Sequence, residues 1–150
     1  MSQSLSKIYT HLVFATKDRA DIIPTDNLSD VHAYIAEILN KNGCHAIAVG
    51  GTTNHVHILY VQSSVLSLSD TVRIIKSNTS KWINSKNGKF TFFCWQDGYG
   101  AFSISESHVN QVVKYIHNQQ EHHKHVSYKD EFRRLCQIFN INLDERYVWN

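Results

Sequence analysis

The connection between two apolar runs in the middle of the chain constrains the fold more than any other feature. The runs His45–Val49 and His55–Val61 are short and rich in aliphatic residues, as is typical of strands. Only residues 50–54, which begin with two glycines, separate them. A parallel crossover needs about a dozen residues or more. The two strands must therefore pair as an antiparallel hairpin.

The rest of the chain alternates between the two periodicities of regular structure. Apolar residues recur at helical spacing in some segments, and short β-branched or aromatic runs predict strands in others. The predicted elements outside the hairpin are strand Ile8–Ala15, helix Leu28–Leu39, helix Leu68–Asn84, strand Ala101–Ile104, helix Glu106–His122, helix Lys129–Phe139 and an extended tail Glu145–Trp149. This order favours an α+β fold, a ferredoxin-like antiparallel sheet with helices on one face.

The composition is that of an ordinary globular domain. A length of 150 residues suits a single domain over residues 1–150, and 42% hydrophobic with 19% charged residues excludes a disordered or fibrous chain. Residues 1–7 lack the apolar core of a secretory signal, and no apolar run approaches the roughly 18 residues of a membrane span. The cysteines Cys44, Cys94 and Cys136 fit neither a disulfide framework nor a zinc pattern. We therefore expect a cytoplasmic protein with reduced cysteines and no membrane partner.

His55 and His57 form the first group of residues that can carry chemistry. They flank Val56 on a predicted strand, and side chains alternate between the two faces of a strand. Both imidazoles therefore point to one face, where they can act as a pair of metal ligands. The alternative is two histidines packed on a sheet surface.

Tyr115 and Gln119 form the second group. They lie four residues apart on a predicted helix, so their side chains stack on one face. Tyrosine can act as a covalent nucleophile toward phosphorus, and the Gln119 oxygen can serve as a third ligand beside the histidines. The alternative is an ordinary surface tyrosine and glutamine.

A basic stretch follows the hairpin. The net charge of +2 is too small to indicate nucleic-acid binding by itself, but residues 71–90 contain no acidic side chain. The basic residues of this stretch are Arg73, Lys76, Lys81, Lys86 and Lys89. They predict contacts with nucleic-acid phosphates, and a solvated helix face is the alternative. The aromatic residues at its end would either stack on bases or fill the core; they are Phe90, Phe92, Phe93 and Trp95.

Two further histidine features leave alternatives open. His11 on the first predicted strand either lies near the histidine pair or has a purely structural role. His122, His123 and His125 form either the polar end of a helix or a metal-binding tract.

Taken together, these motifs resemble the small single-tyrosine HUH transposases of bacterial insertion sequences. Residues 54–59 (NHVHIL) match the His–hydrophobic–His strand of HUH endonucleases, and residues 114–119 (KYIHNQ) match the helix with one catalytic tyrosine. Segments 9–19, 95–103 and 144–149 are similar to the same family. The resemblance therefore covers nearly the whole chain.

The resemblance implies a DNA transposase, a site-specific endonuclease and strand-transfer enzyme acting on single-stranded DNA with a hairpin at the element ends. Mg²⁺ or Mn²⁺ bound by His55, His57 and Gln119 would polarise a phosphate. Tyr115 would attack that phosphate and form a 5′-phosphotyrosine intermediate. Family members act as homodimers, and many complete each active site with the tyrosine helix of the partner subunit.

Two departures from the family pattern bear on this interpretation. Asn54 precedes the histidine pair where many members have aspartate, but this residue is not one of the ligands. The sequence Asn118-Gln119-Gln120 differs from the Asn-Pro sequence of members associated with repetitive extragenic palindromes, which favours an insertion-sequence enzyme. The alternative function is a non-catalytic nucleic-acid-binding module with a ferredoxin-like fold, which would need neither Tyr115 nor a metal.

Overall fold

Four strands form one antiparallel sheet in the computed structural model of the chain, which describes residues 2–86 and 92–150. The strands are β1 (Tyr9–Ala15), β2 (His45–Gly51), β3 (His55–Val61) and β4 (Gly100–Ile104). Their order across the sheet is β2-β3-β1-β4. The predicted hairpin is β2–β3, in which Gly50 pairs with His57.

Two long helices cover one face of this sheet. Helix α1 (Leu28–Lys41) connects β1 to β2, and helix α2 (Leu68–Lys86) connects β3 to β4. The apolar side chains of both helices pack with those of Leu12, Ile58 and neighbouring residues in the largest core cluster. The order βαββαβ and the strand arrangement confirm the predicted ferredoxin-like α+β fold.

A second helical layer lies on the other face of the sheet. It consists of α3 (Val109–His117), α4 (Gln119–His122) and α5 (Tyr128–Ile138). Ile116 packs against Leu59, and Phe132 packs against Val13. The sequence predicts helices on one face of the sheet only. The structure corrects this detail, because α1 and α2 cover one face and the C-terminal helices cover the other.

The structure corrects two predicted elements in the C-terminal part. The helix predicted over Glu106–His122 is a 3₁₀ turn, Glu106–His108, followed by α3 and α4, which are separated at Asn118. The tail predicted to be extended over Glu145–Trp149 forms turns instead, because the N–H of Val148 bonds to the carbonyl of Asp144. Trp149 then packs against Phe132 of α5.

None of the helices in the described ranges has both the length and the hydropathy to cross a membrane. Cys44, Cys94 and Cys136 carry free thiols, in agreement with the sequence.

Candidate active site

His55 and His57 project from β3 onto the face that α3 to α5 cover. Both side chains are completely buried, whereas Val56 and Ile58 between and after them point into the core against α1 and α2. The alternation of side chains along β3 therefore aims both imidazoles into the space beneath the C-terminal helices.

The loop before β3 orients the His55 ring. His55 Nδ1 lies 2.8 Å from Asn54 Oδ1 and 3.0 Å from Thr52 Oγ1. The Asn54 amide is fixed because its Oδ1 accepts from the Thr52 hydroxyl and its Nδ2 donates to the Arg19 carbonyl. Nδ1 of His55 thus donates its proton outward, and burial lowers the pKa of this imidazole to about 3. The neutral ring presents its Nε2 lone pair to the site.

His11 on β1 orients the His57 ring in the same way. His11 Nε2 lies 2.8 Å from His57 Nδ1, and burial, together with the charge of His57, lowers the pKa of His11 to about 3. A neutral His11 can accept from His57 Nδ1, so the contact directs His57 Nε2 into the site. His11 therefore lies beside the histidine pair, which is one of the two alternatives that the sequence left open.

Tyr115 and Gln119 reach the histidines from α3 and α4. Gln119 is buried, and its Oε1 lies 3.0 Å from His55 Nε2. The Tyr115 ring lies 5.6 Å from the His57 ring between centroids. Burial and the nearby carboxylate of Glu131 raise the pKa of Tyr115, so its hydroxyl is protonated and donates to Glu131 Oε2.

Glu131 on α5 occupies the centre of the site, and the sequence interpretation missed it. Its Oε1 lies 2.8 Å from His57 Nε2 and 3.7 Å from His55 Nε2. Burial opposes ionisation of this carboxyl, but hydrogen bonds with His123 and His57 outweigh burial and lower its pKa. Glu131 is therefore a buried carboxylate held among imidazoles. The sequence does contain a signal for Glu131. The structure describes every residue of α5, and Glu131 is the charged residue among its buried positions.

His123 is the second residue of the site that lies outside the predicted ligand set of His55, His57 and Gln119. Its Nε2 lies 2.9 Å from Gln119 Oε1 and 3.1 Å from Glu131 Oε1. Donor atoms of His55, His57, His123 and Glu131 all lie within 4.8 Å of one another. Within the histidine tract, the His123 side chain thus points into the buried site, whereas the His125 side chain is exposed.

The donor set fits a divalent cation. The neutral His55 ring directs a lone pair from Nε2 at the Oε1 of Gln119, whose Nε2 is engaged with Glu131. Two acceptor atoms facing each other at 3.0 Å in a buried site repel unless a positive charge lies between them. Imidazole nitrogen with amide and carboxylate oxygen is a ligand set suited to Mn²⁺ and Mg²⁺.

A cleft of about 790 Å³ opens next to Tyr115 and Glu131. Helices α3 and α5 form its walls, and its lining combines apolar side chains such as Phe139 with the exposed Arg134. Tyr115 is therefore accessible from solvent through this cleft, while the buried His55 and His57 lie behind it.

The basic stretch lies on the opposite side of the sheet from the histidines, because α2 packs on the other face. Lys76 donates to the carbonyls of Gln96, Asp97 and Gly98, and burial lowers its pKa to about 8. The exposed cations of the described stretch are Arg73, Lys81 and Lys86, and Arg73 contacts Asp70 at 3.5 Å.

The other basic and aromatic residues that the sequence predicts to contact nucleic acid divide into three groups. Lys89 and Phe90 lie outside the described residues. Phe93 and Trp95 are buried in the core, which favours the core alternative for both. Phe92 is 79% exposed.

A ferredoxin-like sheet with a buried histidine pair beneath a tyrosine helix defines the class of single-tyrosine HUH transposases. Residues 4–119 match the family model for IS200-like transposases, and the chain belongs to this family. The match includes the histidine pair, Tyr115 and Gln119, and it ends before His123 and Glu131.

Individual relatives agree with this assignment. The chain is 22% identical over 116 residues to the ISDra2 transposase TnpA of Deinococcus radiodurans, covering 74% of this chain and 83% of that protein. A crystal structure of a D. radiodurans R1 protein assigned as a transposase superposes with a TM-score of 0.61 at 23% identity, covering 79% of this chain and 98% of the other. A REP-associated tyrosine transposase bound to a REP hairpin superposes with a TM-score of 0.55 at 16% identity, covering 77% of this chain and 70% of the other.

Proposed function

We propose that this protein is a metal-dependent transposase that cuts and rejoins single-stranded DNA through a covalent 5′-phosphotyrosine on Tyr115. One observation carries the proposal. The Tyr115 hydroxyl donates to the same carboxylate that contacts His57 Nε2, so a nucleophile and a set of metal-binding side chains meet within one chain. A nucleic-acid-binding module would need neither group.

His55, His57 and Gln119 would hold Mg²⁺ or Mn²⁺ in this proposal. The bound ion would polarise the scissile phosphate and stabilise the charge that develops during attack. The chain itself supplies the orientation: Asn54 and His11 fix the outer nitrogens of the two rings and aim both Nε2 atoms at one point.

The proposed reaction conserves the phosphodiester. Tyr115 Oη forms a bond to phosphorus and loses its proton, while the bond from phosphorus to the 3′-oxygen breaks. The released 3′-oxygen gains a proton and leaves as a hydroxyl group. Attack by a second DNA 3′-hydroxyl on the phosphotyrosine reverses these steps, rejoins the strand and restores the tyrosine without ATP.

The single strand would enter through the cleft beside Tyr115. Its apolar lining suits bases, and the exposed Arg134 suits a phosphate. The exposed cations of α2 would contact the hairpin of the element end from the other side of the molecule. Lys89 is also proposed as a phosphate contact, whereas the Lys76 ammonium is already engaged by three backbone carbonyls. The hairpin-bound relative supports a hairpin substrate.

We also propose a homodimer, the assembly that the family leads us to expect, with each active site built within one chain. Tyr115 reaches Glu131 of its own chain, so a complete site within one chain is geometrically possible. Mixing Tyr115→Phe protein with His57→Ala protein tests the point. Sites within one chain predict no recovery of cleavage once subunit exchange is verified, and recovery would show shared sites.

The decisive experiment uses labelled single-stranded oligonucleotides that carry a hairpin, incubated with Mn²⁺ or Mg²⁺ and run on denaturing gels. Wild-type protein should form a covalent protein–DNA adduct, and Tyr115→Phe should form none. Tyr147→Phe is a matched control, because Tyr147 is exposed in the C-terminal segment. Hairpin binding that needs no metal and yields no adduct, even with the ends of the protein's own element, would favour the binding module instead.

A further inference from the structure

We propose that His123 and Glu131 are also metal ligands, and that Glu131 holds the ion with one oxygen and positions Tyr115 with the other. This inference rests on the proposed function and extends it. The ion would then have five protein donors: three imidazole nitrogens, the Gln119 amide oxygen and one carboxylate oxygen.

The first argument is the orientation of the three histidines. Each has its Nδ1 engaged outside the site, by Asn54 for His55, by His11 for His57, and by the Val126 carbonyl for His123. Each directs its Nε2 inward. Metal-binding histidines are usually oriented by a hydrogen bond of this kind at the nitrogen that does not bind the metal. His123 shares this arrangement with the two histidines of β3.

The second argument is the identity of the atoms that His123 faces. A carbonyl oxygen can only accept, so His123 Nδ1, 2.7 Å from Val126 O, carries the proton. His123 Nε2 then faces Gln119 Oε1 at 2.9 Å and Glu131 Oε1 at 3.1 Å. One nitrogen and two oxygens thus converge on one buried point, where a divalent cation would find all three as ligands.

The third argument is spacing. Ligands at the metal–oxygen distances of an octahedral shell are separated by about 3.0 Å along its edges. Adjacent donor pairs are separated by 2.8 Å for His57 with Glu131, 2.9 Å for His123 with Gln119, and 3.1 Å for His123 with Glu131. His55 Nε2 and Gln119 Oε1 are 3.0 Å apart. These four pairs thus have the separation of neighbours in one shell, and His55 Nε2 and Glu131 Oε1 are farther apart at 3.7 Å.

Glu131 also connects this shell to the nucleophile. Its Oε1 faces the imidazoles, whereas its Oε2 accepts from the Tyr115 hydroxyl and, at 3.1 Å, from Gln119 Nε2. The carboxylate is buried, and both of its oxygens are engaged within the site. Glu131 is therefore a positioning residue for Tyr115 as well as a ligand.

A crystal structure of the wild-type protein soaked in MnCl₂ tests the ligand set without any substitution. We expect an anomalous peak within about 2.3 Å of both Glu131 Oε1 and His123 Nε2. A peak bound by His55, His57 and Gln119, with both other atoms beyond about 3.5 Å, would overturn the inference and leave the proposed function intact.

Two pairs of variants test the same point in solution, with Mn²⁺ affinity measured by calorimetry. Glu131→Gln and His123→Ala should each lower the affinity by roughly 100-fold, the upper end of what loss of an outer partner produces. Asp130→Asn and His125→Ala are matched controls at exposed neighbouring positions and should bind Mn²⁺ like the wild type. Unchanged affinity in both test variants would contradict the inference.

Adduct formation separates this inference from the function on which it rests. If wild-type protein forms the tyrosine adduct while Glu131→Gln and His123→Ala bind Mn²⁺ normally, only the additional ligands are wrong. If wild-type protein binds Mn²⁺ through all five donors but forms no adduct on any hairpin substrate, the metal site stands and the transposase chemistry fails. Circular dichroism without metal verifies that each variant is folded.

Discussion

Gly50 on β2 lies directly beneath the backbone of Ile116 on α3. A Cβ atom at Gly50 would stand 2.4 Å from the Ile116 carbonyl oxygen and 2.9 Å from its Cγ2. Gly50 also pairs with His57 across the hairpin. The missing side chain therefore sets how closely the helix that carries Tyr115 approaches the strand that carries the histidines.

Gly50→Ala should push α3 away from the sheet and separate Tyr115 from the histidines. We expect a loss of about 1–3 kcal/mol in the free energy of unfolding, as for overpacking elsewhere, and a lower yield of covalent adduct under conditions where the variant is folded. Denaturant unfolding and the gel assay measure these effects. Gly98→Ala is the control, because its Cβ would meet nothing closer than 3.8 Å. Equal adduct yields from both variants would show that the spacing does not matter.

His11→Ala removes the hydrogen-bond partner of His57 Nδ1. Outer partners of metal-binding histidines are worth roughly 10- to 100-fold in metal affinity, and we expect a loss in that range for Mn²⁺. Titration calorimetry measures it. The exposed His45 provides the control substitution, His45→Ala. An affinity equal to that of wild type would show that His57 needs no support from β1.

His32 on α1 makes stability depend on pH at a distance from the site. Burial, reinforced by the charge of His117, lowers its pKa from 6.5 to about 4, and its Nε2 is buried without a hydrogen bond. The unfolded chain binds this proton below pH 6.5 and the folded protein only below about pH 4. Acidification between these values therefore removes up to about 1.4 kcal/mol of stability per pH unit.

His32→Leu removes this contribution. Its free energy of unfolding should fall less steeply than that of wild type as the pH decreases from 6.5 toward 4. Urea unfolding at several pH values gives both slopes. Parallel slopes would mean that His32 is as easily protonated in the folded protein as in the unfolded chain.

Arg134→Ala should weaken binding of single-stranded DNA, because the cleft beside Tyr115 would lose a cation. Removing one cation that neutralises a phosphate of a single strand reduces the slope of log K against log salt concentration by about 0.7. Fluorescence anisotropy at several salt concentrations measures this slope. Arg133→Ala is the control, because the Arg133 guanidinium is paired with Glu145 and Asp130. A slope unchanged by Arg134→Ala would place the strand elsewhere.

Mn²⁺ should stabilise the folded protein more than Mg²⁺ at equal concentration, because imidazole nitrogens favour transition-metal ions. A ligand at 100 times its dissociation constant adds about 2.7 kcal/mol. Thermal unfolding with each ion, and with excess chelator, measures the difference. His57→Ala should abolish the shift. An equal shift with Mg²⁺ would indicate an ion bound mainly through oxygen.

The fold and the strand that carries the histidines follow from local pattern. The short hairpin connection forces antiparallel pairing, and alternation along β3 places His55 and His57 on one face. The same reasoning places Tyr115 and Gln119 one turn apart, although the helix is interrupted between them at Asn118. These features depend on neighbours in sequence, which periodicity describes.

Glu131 was missed, and His123 was named only within a possible metal-binding tract, because tertiary packing places both residues. The turn after α4 directs His123 inward through its bond to Val126, and no periodicity indicates such a turn. Glu131 contacts His57 across 74 residues of chain. Its position among Tyr128, Phe132 and Cys136 on the buried side of α5 was a detectable signal, because a carboxylate on an apolar face needs a partner.

The carboxylate of Glu131 couples two events that are usually treated separately, the capture of an ion and the release of the nucleophile. Ion binding changes the strength of the hydrogen bond between Glu131 and the Tyr115 hydroxyl. Because thermodynamic linkage is reciprocal, removing that hydroxyl must change the ion affinity by the same free energy. Tyr115 is thus a reporter of the ion before any DNA is present. A single buried side chain would therefore link ion binding to the nucleophile. The strength of that link can be measured at equilibrium as a difference in ion affinity, without a substrate.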